Sequence, residues 1–142
     1  MGRPSDYTDD IAADICGRLM NGESLKSITA GEDMPDRSTV YRWLLAHEGF
    51  RDIYTRARED QADTLADEII DIADDSANDL MVGENGDEVV NRENVNRARL
   101  RVDARKWVAA KLKPRKYGDS TKITGDAEQP IALRITWGAS QK

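Results

Sequence analysis

Met34-Pro35-Asp36-Arg37-Ser38-Thr39-Val40-Tyr41-Arg42-Trp43-Leu44 is the stretch whose reading decides the fold. Its spacing predicts a short helix, capped by Asp36 and broken at Gly49, with Val40, Trp43 and Leu44 turned inward at about 100° per residue. Ser38, Tyr41 and Arg42 then point outward, and Arg37 and Thr39 flank them near the helix start. A short helix with polar and cationic residues on its open face is one that meets base edges or phosphates.

Upstream, two more short helices are expected. Thr8 caps the first, whose opening turn holds Asp9 and Asp10, where carboxylates suit the helix dipole. Ile11, Ile15 and Leu19 recur on one face, and Asn21-Gly22 stops it. Ser24 caps the second, which carries Leu25 and Ile28 and ends near Gly31. Three such helices in about fifty residues, with a turn between the second and third, form the pattern of a helix-turn-helix. On this reading Arg42 reads guanine in the major groove, while Lys26 and Arg3 clamp phosphates. A module used only for protein contacts is the alternative, because the segment is net acidic. His47, the only histidine, shares a face with Val40 and Leu44 and is expected to close the small core.

Downstream, a strong helical period runs from Phe50 to about Asn78 through Ile53, Tyr54, Ala57, Leu65, Ile69, Ile72 and Ala73. Such a helix reaches roughly 40 Å, a strut or an oligomer wall rather than a core element of a small domain. A second long helix is expected from about Arg92 to Lys113, with Val95, Val102, Trp107, Ala109 and Leu112, ending at Pro114. Between them Asn85-Gly86 separates Met81-Val82 from Val89-Val90, a hairpin signal with an irregular connector as the open alternative. Charge divides sharply across this region: residues 56–90 hold twelve acids against two arginines, and residues 91–118 hold ten lysines and arginines against two acids. Opposite blocks of this kind pair within a chain or between copies.

Beyond residue 119 the pattern changes to period two. Ile131, Leu133, Ile135 and Trp137 alternate with Ala132, Arg134 and Thr136, and Thr121 to Thr124 supply a second candidate strand. Two strands are marginal alone in water. Pairing between copies into a shared sheet or barrel is the favoured solution, and packing on the subunit's own helices the other.

Several classes are set aside. Net charge is −6, which argues against coating nucleic acid or acidic membrane with the whole surface, though a local basic patch is compatible. The single cysteine, Cys16, precludes an internal disulfide or a cysteine-based zinc site and fits a reducing compartment. No run is long and apolar enough to span a membrane, so a cytoplasmic protein is expected. No phosphate-cradling Gly-rich loop precedes a Lys-Ser/Thr pair, and the helical spacing of Asp71, Asp74 and Asp75 spreads them too widely to favour a magnesium site over a solvated face. No catalytic residue, metal or cofactor is expected.

Arg99-Leu100-Arg101-Val102-Asp103-Ala104-Arg105-Lys106-Trp107, followed by Lys111-Leu112-Lys113-Pro114-Arg115-Lys116-Tyr117-Gly118-Asp119, is the most distinctive run. With the Gly2-Arg3-Pro4-Ser5 start and the helix at 34–44, it resembles the helix-turn-helix small terminase subunits of tailed double-stranded DNA bacteriophages, from about Gly2 to Asp119. The resemblance implies a mainly α fold: a helix-turn-helix at 1–49, an oligomerisation pair of long antiparallel helices at 50–118, and a C-terminal β segment at 119–142 closing an intersubunit barrel. It implies a ring of about eight to ten subunits with closed symmetry, which recognises the packaging site on viral DNA and modulates the ATPase and nuclease of the large terminase subunit without activity of its own. The setting would be the host cell cytoplasm. DNA contacts then fall to Arg3, Lys26, Arg37, Ser38, Thr39, Tyr41 and Arg42. Assembly falls to Leu65, Ile69, Ile72, Arg101, Val102, Arg105, Trp107, Ile131, Leu133 and Ile135. A dimeric repressor, and an assembly scaffold without DNA binding, are the competing functions.

Overall fold

The computed structural model describes residues 2–120, 125, 128–130 and 132. In chain order the elements are α1 (Asp9–Met20), α2 (Leu25–Ile28), α3 (Arg37–Ala46), α4 (Glu48–Asp74), β1 (Leu80–Val82), β2 (Glu88–Val90), α5 (Arg92–Leu112) and α6 (Pro114–Tyr117). The fold is mainly helical with, among the described residues, a small two-stranded antiparallel sheet.

The first three helices begin where cap chemistry places them. The Thr8 hydroxyl accepts from the Ile11 amide at 3.2 Å, and the Ser24 hydroxyl accepts from the Ser27 amide at 3.1 Å. Each satisfies one of the amides that a helix start leaves without an intrahelical partner. Asp36 occupies the N-cap of α3 but makes no side-chain cap bond, because its carboxylate is engaged by Arg3 instead. The break after α3 falls at His47, whose extended backbone (φ −121°, ψ 103°) separates α3 from α4. Gly49, expected to be the breaker, lies inside the first turn of α4. The His47 ring stacks on Tyr7 with centroids 3.8 Å apart, which holds the corner from the N-terminal arm.

The core packs Ala12, Ile15, Cys16 and Leu19 of α1 against Leu25, Ile28, Met34, Val40 and Trp43, and is closed by Phe50 and Ala57 of α4. Phe50 sits edge-on to Trp43 and Tyr54. Burying a side chain of that size stabilises the fold by roughly 2–3 kcal/mol, several times the contribution of an exposed ion pair. The long helix is therefore the fourth wall of the N-terminal core rather than a separate strut. Two side chains further along α4 reinforce the joint: the amide of buried Gln61 donates to the Glu23 carbonyl at 2.8 Å, and the Thr64 hydroxyl to the Met20 carbonyl at 2.6 Å. The turn after α1 uses Gly22 at φ +93°, where a Cβ would approach the Glu68 carboxylate to 3.0 Å.

The other end of α4 pairs with α5. Partners run in opposite directions, Asp79 with Asn94, Glu68 with Arg105 and Asp63 with Lys113, which makes the helices antiparallel. The expected long helix from Phe50 to Asn78 is thus shifted at both ends, starting at Glu48 and stopping at Asp74. The connector is a hairpin, with Leu80 opposite Val90, Met81 opposite Val89 and Val82 opposite Glu88. Its turn is wider than a two-residue Asn-Gly reversal: the Gly83 amide donates to the Asp87 carbonyl at 2.8 Å, and Gly86 takes φ +84° within the loop. Pro114 ends α5 and at once opens α6, a position where its missing amide costs nothing. Of the candidate strands at 121–124 and 131–137, only Ala132 falls among the described residues.

Candidate nucleic-acid interface

The open face of α3 carries Arg37, Ser38, Tyr41 and Arg42, all exposed, and the helix contains no acidic residue. Thr39 differs from its neighbours. It is buried, and its hydroxyl accepts from an Arg42 guanidinium nitrogen at 2.9 Å. One end of the Arg42 fork is thereby held while the rest stays open to solvent, which lowers the entropy cost of a directed contact. Lys26 lies exposed on α2.

Arg3 is bound into the fold. Its guanidinium donates to the Thr29 carbonyl at 2.8 Å, to the Asp36 carboxylate at 2.7 Å and to the Ala30 carbonyl at 3.5 Å. The first of these carbonyls belongs to the C-cap of α2, where a cation meets the negative end of the helix. Arg3 thus ties the N-terminal arm to both sides of the turn between α2 and α3. It also offsets the charge of Asp36, a carboxylate at the start of α3 that would otherwise repel a phosphate approaching the helix N-terminus. That role has no short-range signature, since Arg3 and Asp36 are 33 residues apart. Further along, Arg51 donates to the Leu44 carbonyl at 3.1 Å and braces the end of α3.

The residues expected to support assembly divide by environment. Leu65 is buried, Ile69, Ile72 and Val102 are half-buried between α4 and α5, and Trp107 is exposed with the Lys111 ammonium 5.5 Å from its ring centre. Arg105 is paired with Glu68 at 2.6 Å, whereas Arg101 is exposed. Ile131, Leu133 and Ile135 lie outside the described residues. Asp71, Asp74 and Asp75 are exposed at the end of α4.

A cluster that went unnoticed in the sequence fastens α6 to α4. The Asp63 carboxylate accepts from the Tyr117 hydroxyl at 2.6 Å and from the Lys113 and Lys116 ammonium groups at 2.9 Å each. Those bonds, Tyr117 first and then the two lysines, hold its carboxyl well below the usual carboxylate range. Cys16 moves the other way: burial pushes its thiol up to about 11, which leaves it protonated and poorly nucleophilic.

Comparison with known proteins follows the same architecture. Crystal structures of three single-substitution variants of the terminase small subunit gp1 of the bacterial virus Sf6 are similar to the chain at 40% identity, with TM-scores of 0.67 to 0.68. Each match covers 96% of this chain and 98% of the other. No curated protein matches. The family described as Bacteriophage Sf6, terminase small subunit-like matches over residues 7–124. The chain belongs to the Sf6 terminase small subunit-like family of bacteriophage DNA-packaging proteins.

Proposed function

We propose that this small subunit assembles into a ring of about eight to ten copies with closed symmetry, recognises the packaging site on double-stranded viral DNA, and regulates the ATPase and nuclease of the large terminase subunit while catalysing nothing itself. Residues 1–49 present the DNA-reading helix, residues 50–118 build the ring, and residues 119–142 add the C-terminal β segment. The work is done in the host cell cytoplasm.

The observation that carries the reading is the acid-free open face of α3, on which Arg37, Ser38, Tyr41 and Arg42 stand together. Arg42, tethered at Thr39, is the candidate for a base edge. Lys26 and Arg37 suit phosphates, and Arg3 and Thr39 support the surface through the groups they hold. A single module of this size binds weakly, and a ring gains affinity when DNA reaches several modules at once.

The test is a titration of duplex DNA containing the packaging region at two salt concentrations, combined with native mass measurement. Each phosphate contact steepens the loss of affinity with salt by about 0.9 on logarithmic axes. Lys26→Ala is expected to reduce that slope by about one per module engaged. A salt-independent affinity, or a particle that stays monomeric at micromolar concentration, would overturn the proposal.

A further inference from the structure

The hairpin at residues 79–90 is a surface in search of a partner. Every residue of β1 and β2 is exposed, although most are large and apolar. Leu80, Val82 and Val90 share one face with Glu88, at 54%, 72% and 58% exposure for the three apolar residues. An isolated two-stranded hairpin is marginal in water, and among the described residues no further strand pairs with either of its edges. It is nevertheless held at a fixed place. The Asn91 amide donates to the Asp79 carbonyl at 2.7 Å, and the Asn94 side-chain amide donates to the Asp79 carboxylate at 3.1 Å. The segment has four acids, Asp79, Glu84, Asp87 and Glu88, and no lysine or arginine.

The complementary surface lies on α5. Arg97, Leu100, Ala104, Trp107 and Lys111 follow one another at three- and four-residue spacing and so share the side of the helix turned to solvent. Leu100 is 67% exposed and Trp107 65%. Asn96, Arg97 and Leu100, with Glu93, line a shallow depression. Arg97 makes an exposed contact with Glu93 at 3.8 Å. Across its length α5 has seven lysines and arginines against two acids. These apolar side chains are exposed within one chain, so neither face covers the other.

We infer that the apolar face of the hairpin docks on the outward stripe of α5 in a second copy of this chain, with Val82 entering the depression beside Leu100 and Glu88 meeting Arg97. This rests on the ring reading above and adds to it an asymmetric, head-to-tail contact, the type that closes rings. Apolar burial supplies the attraction, and the opposite charges set the register and disfavour the reversed pairing.

The experiment uses the full chain and a charge swap. Glu88→Arg and Arg97→Glu are both on exposed side chains and are expected to leave the helical content of the monomer unchanged. Each alone is expected to raise the subunit concentration needed for half-assembly by about tenfold or more, as like charges are brought together. An equimolar mixture of the two variants is expected to recover the wild-type particle mass. In it the arginine introduced at position 88 of one copy faces the glutamate introduced at position 97 of the next, and the alternate junction is native. A contact within one chain would not recover on mixing. Val82→Asp, also on an exposed residue, is expected to weaken assembly without recovery. If wild type forms rings and the single variants assemble normally, or if mixing restores nothing, the docking is wrong and the ring stands. If wild type is monomeric, both fall.

Discussion

Arg42 and Arg3 have the same charge and opposite settings. Arg42 keeps one nitrogen on the Thr39 hydroxyl and offers the rest to solvent, so Arg42→Ala is expected to weaken duplex binding by about 1–3 kcal/mol, with particle mass unchanged. Unaltered affinity in a filter or fluorescence titration would remove it from the interface. Arg3, folded onto Thr29 and Asp36, is built into the turn, so Arg3→Ala is expected to act on duplex binding only through the position of α3. Cys16 gives a check on the core itself. With its thiol pushed up to about 11 and its side chain buried, it is expected to react with a thiol reagent at neutral pH only as fast as the core opens. Rapid labelling of native protein, at the rate seen in denaturant, would contradict the packing of α1.

At the scale of elements, the Asp63 cluster makes the docking of α6 acid-sensitive. A carboxyl held below its unfolded value contributes stability that is present above that value, near pH 4, and is lost as pH falls through the window beneath it. Asp63→Asn is therefore expected to lower the melting temperature at pH 7, and the gap from wild type to close below about pH 4. A gap that stays constant down to about pH 3 would show that the carboxylate is not stabilised by Tyr117, Lys116 and Lys113. On α5, Arg105→Glu sets two acids against each other beside Glu68 and should cost the monomer about 1–2 kcal/mol. Arg101→Glu, at an exposed position, should spare monomer stability and act only on assembly; equal melting curves for the two variants would refute the distinction.

Elements differed in how far the chain announced them. Thr8 and Ser24 marked helix starts through local chemistry, and the period through Ile15, Leu19, Val40 and Trp43 showed the inner faces. The long helices were legible from their apolar stripes, whereas Asn85-Gly86 left a hairpin and an irregular connector both open. What stayed hidden was set by distant partners. The stop at His47 depends on Tyr7, far upstream in the N-terminal arm. The uncapped Asp36 depends on Arg3, and Asp63 has partners at 113, 116 and 117. No periodicity carries information over such separations. For the candidate interface, the exposure of Ser38, Tyr41 and Arg42 followed from helical phase, whereas packing decided between the two flanking residues, leaving Arg37 exposed and burying Thr39.

For the whole molecule, the opposite charge blocks lie on helices that meet, and among the described residues the ion pairs that join one block to the other are Glu68 with Arg105, and Asp63 with Lys113 and Lys116. Most of the other charges, among them Asp67, Asp71, Arg99 and Arg101, are exposed together with Leu100, Trp107 and the hairpin strands. Deleting residues from Gln129 onward is expected to loosen the proposed ring or its proposed engagement with the large subunit while leaving the fold of α1 to α5 intact by circular dichroism. Normal particle mass and normal packaging after that deletion would make the tail dispensable. The same stretch of α4 is gripped on one side by α1 and the turn after it, through Gln61 and Thr64, and on the other by the end of α5 and α6, through Asp63. Mechanically, α3 is thus mounted on a lever rather than a tether. Because each residue of α4 turns the helix by about 100° and advances it by about 1.5 Å, helical phase along this one rod sets the angle between α3 at one end and the hairpin at the other.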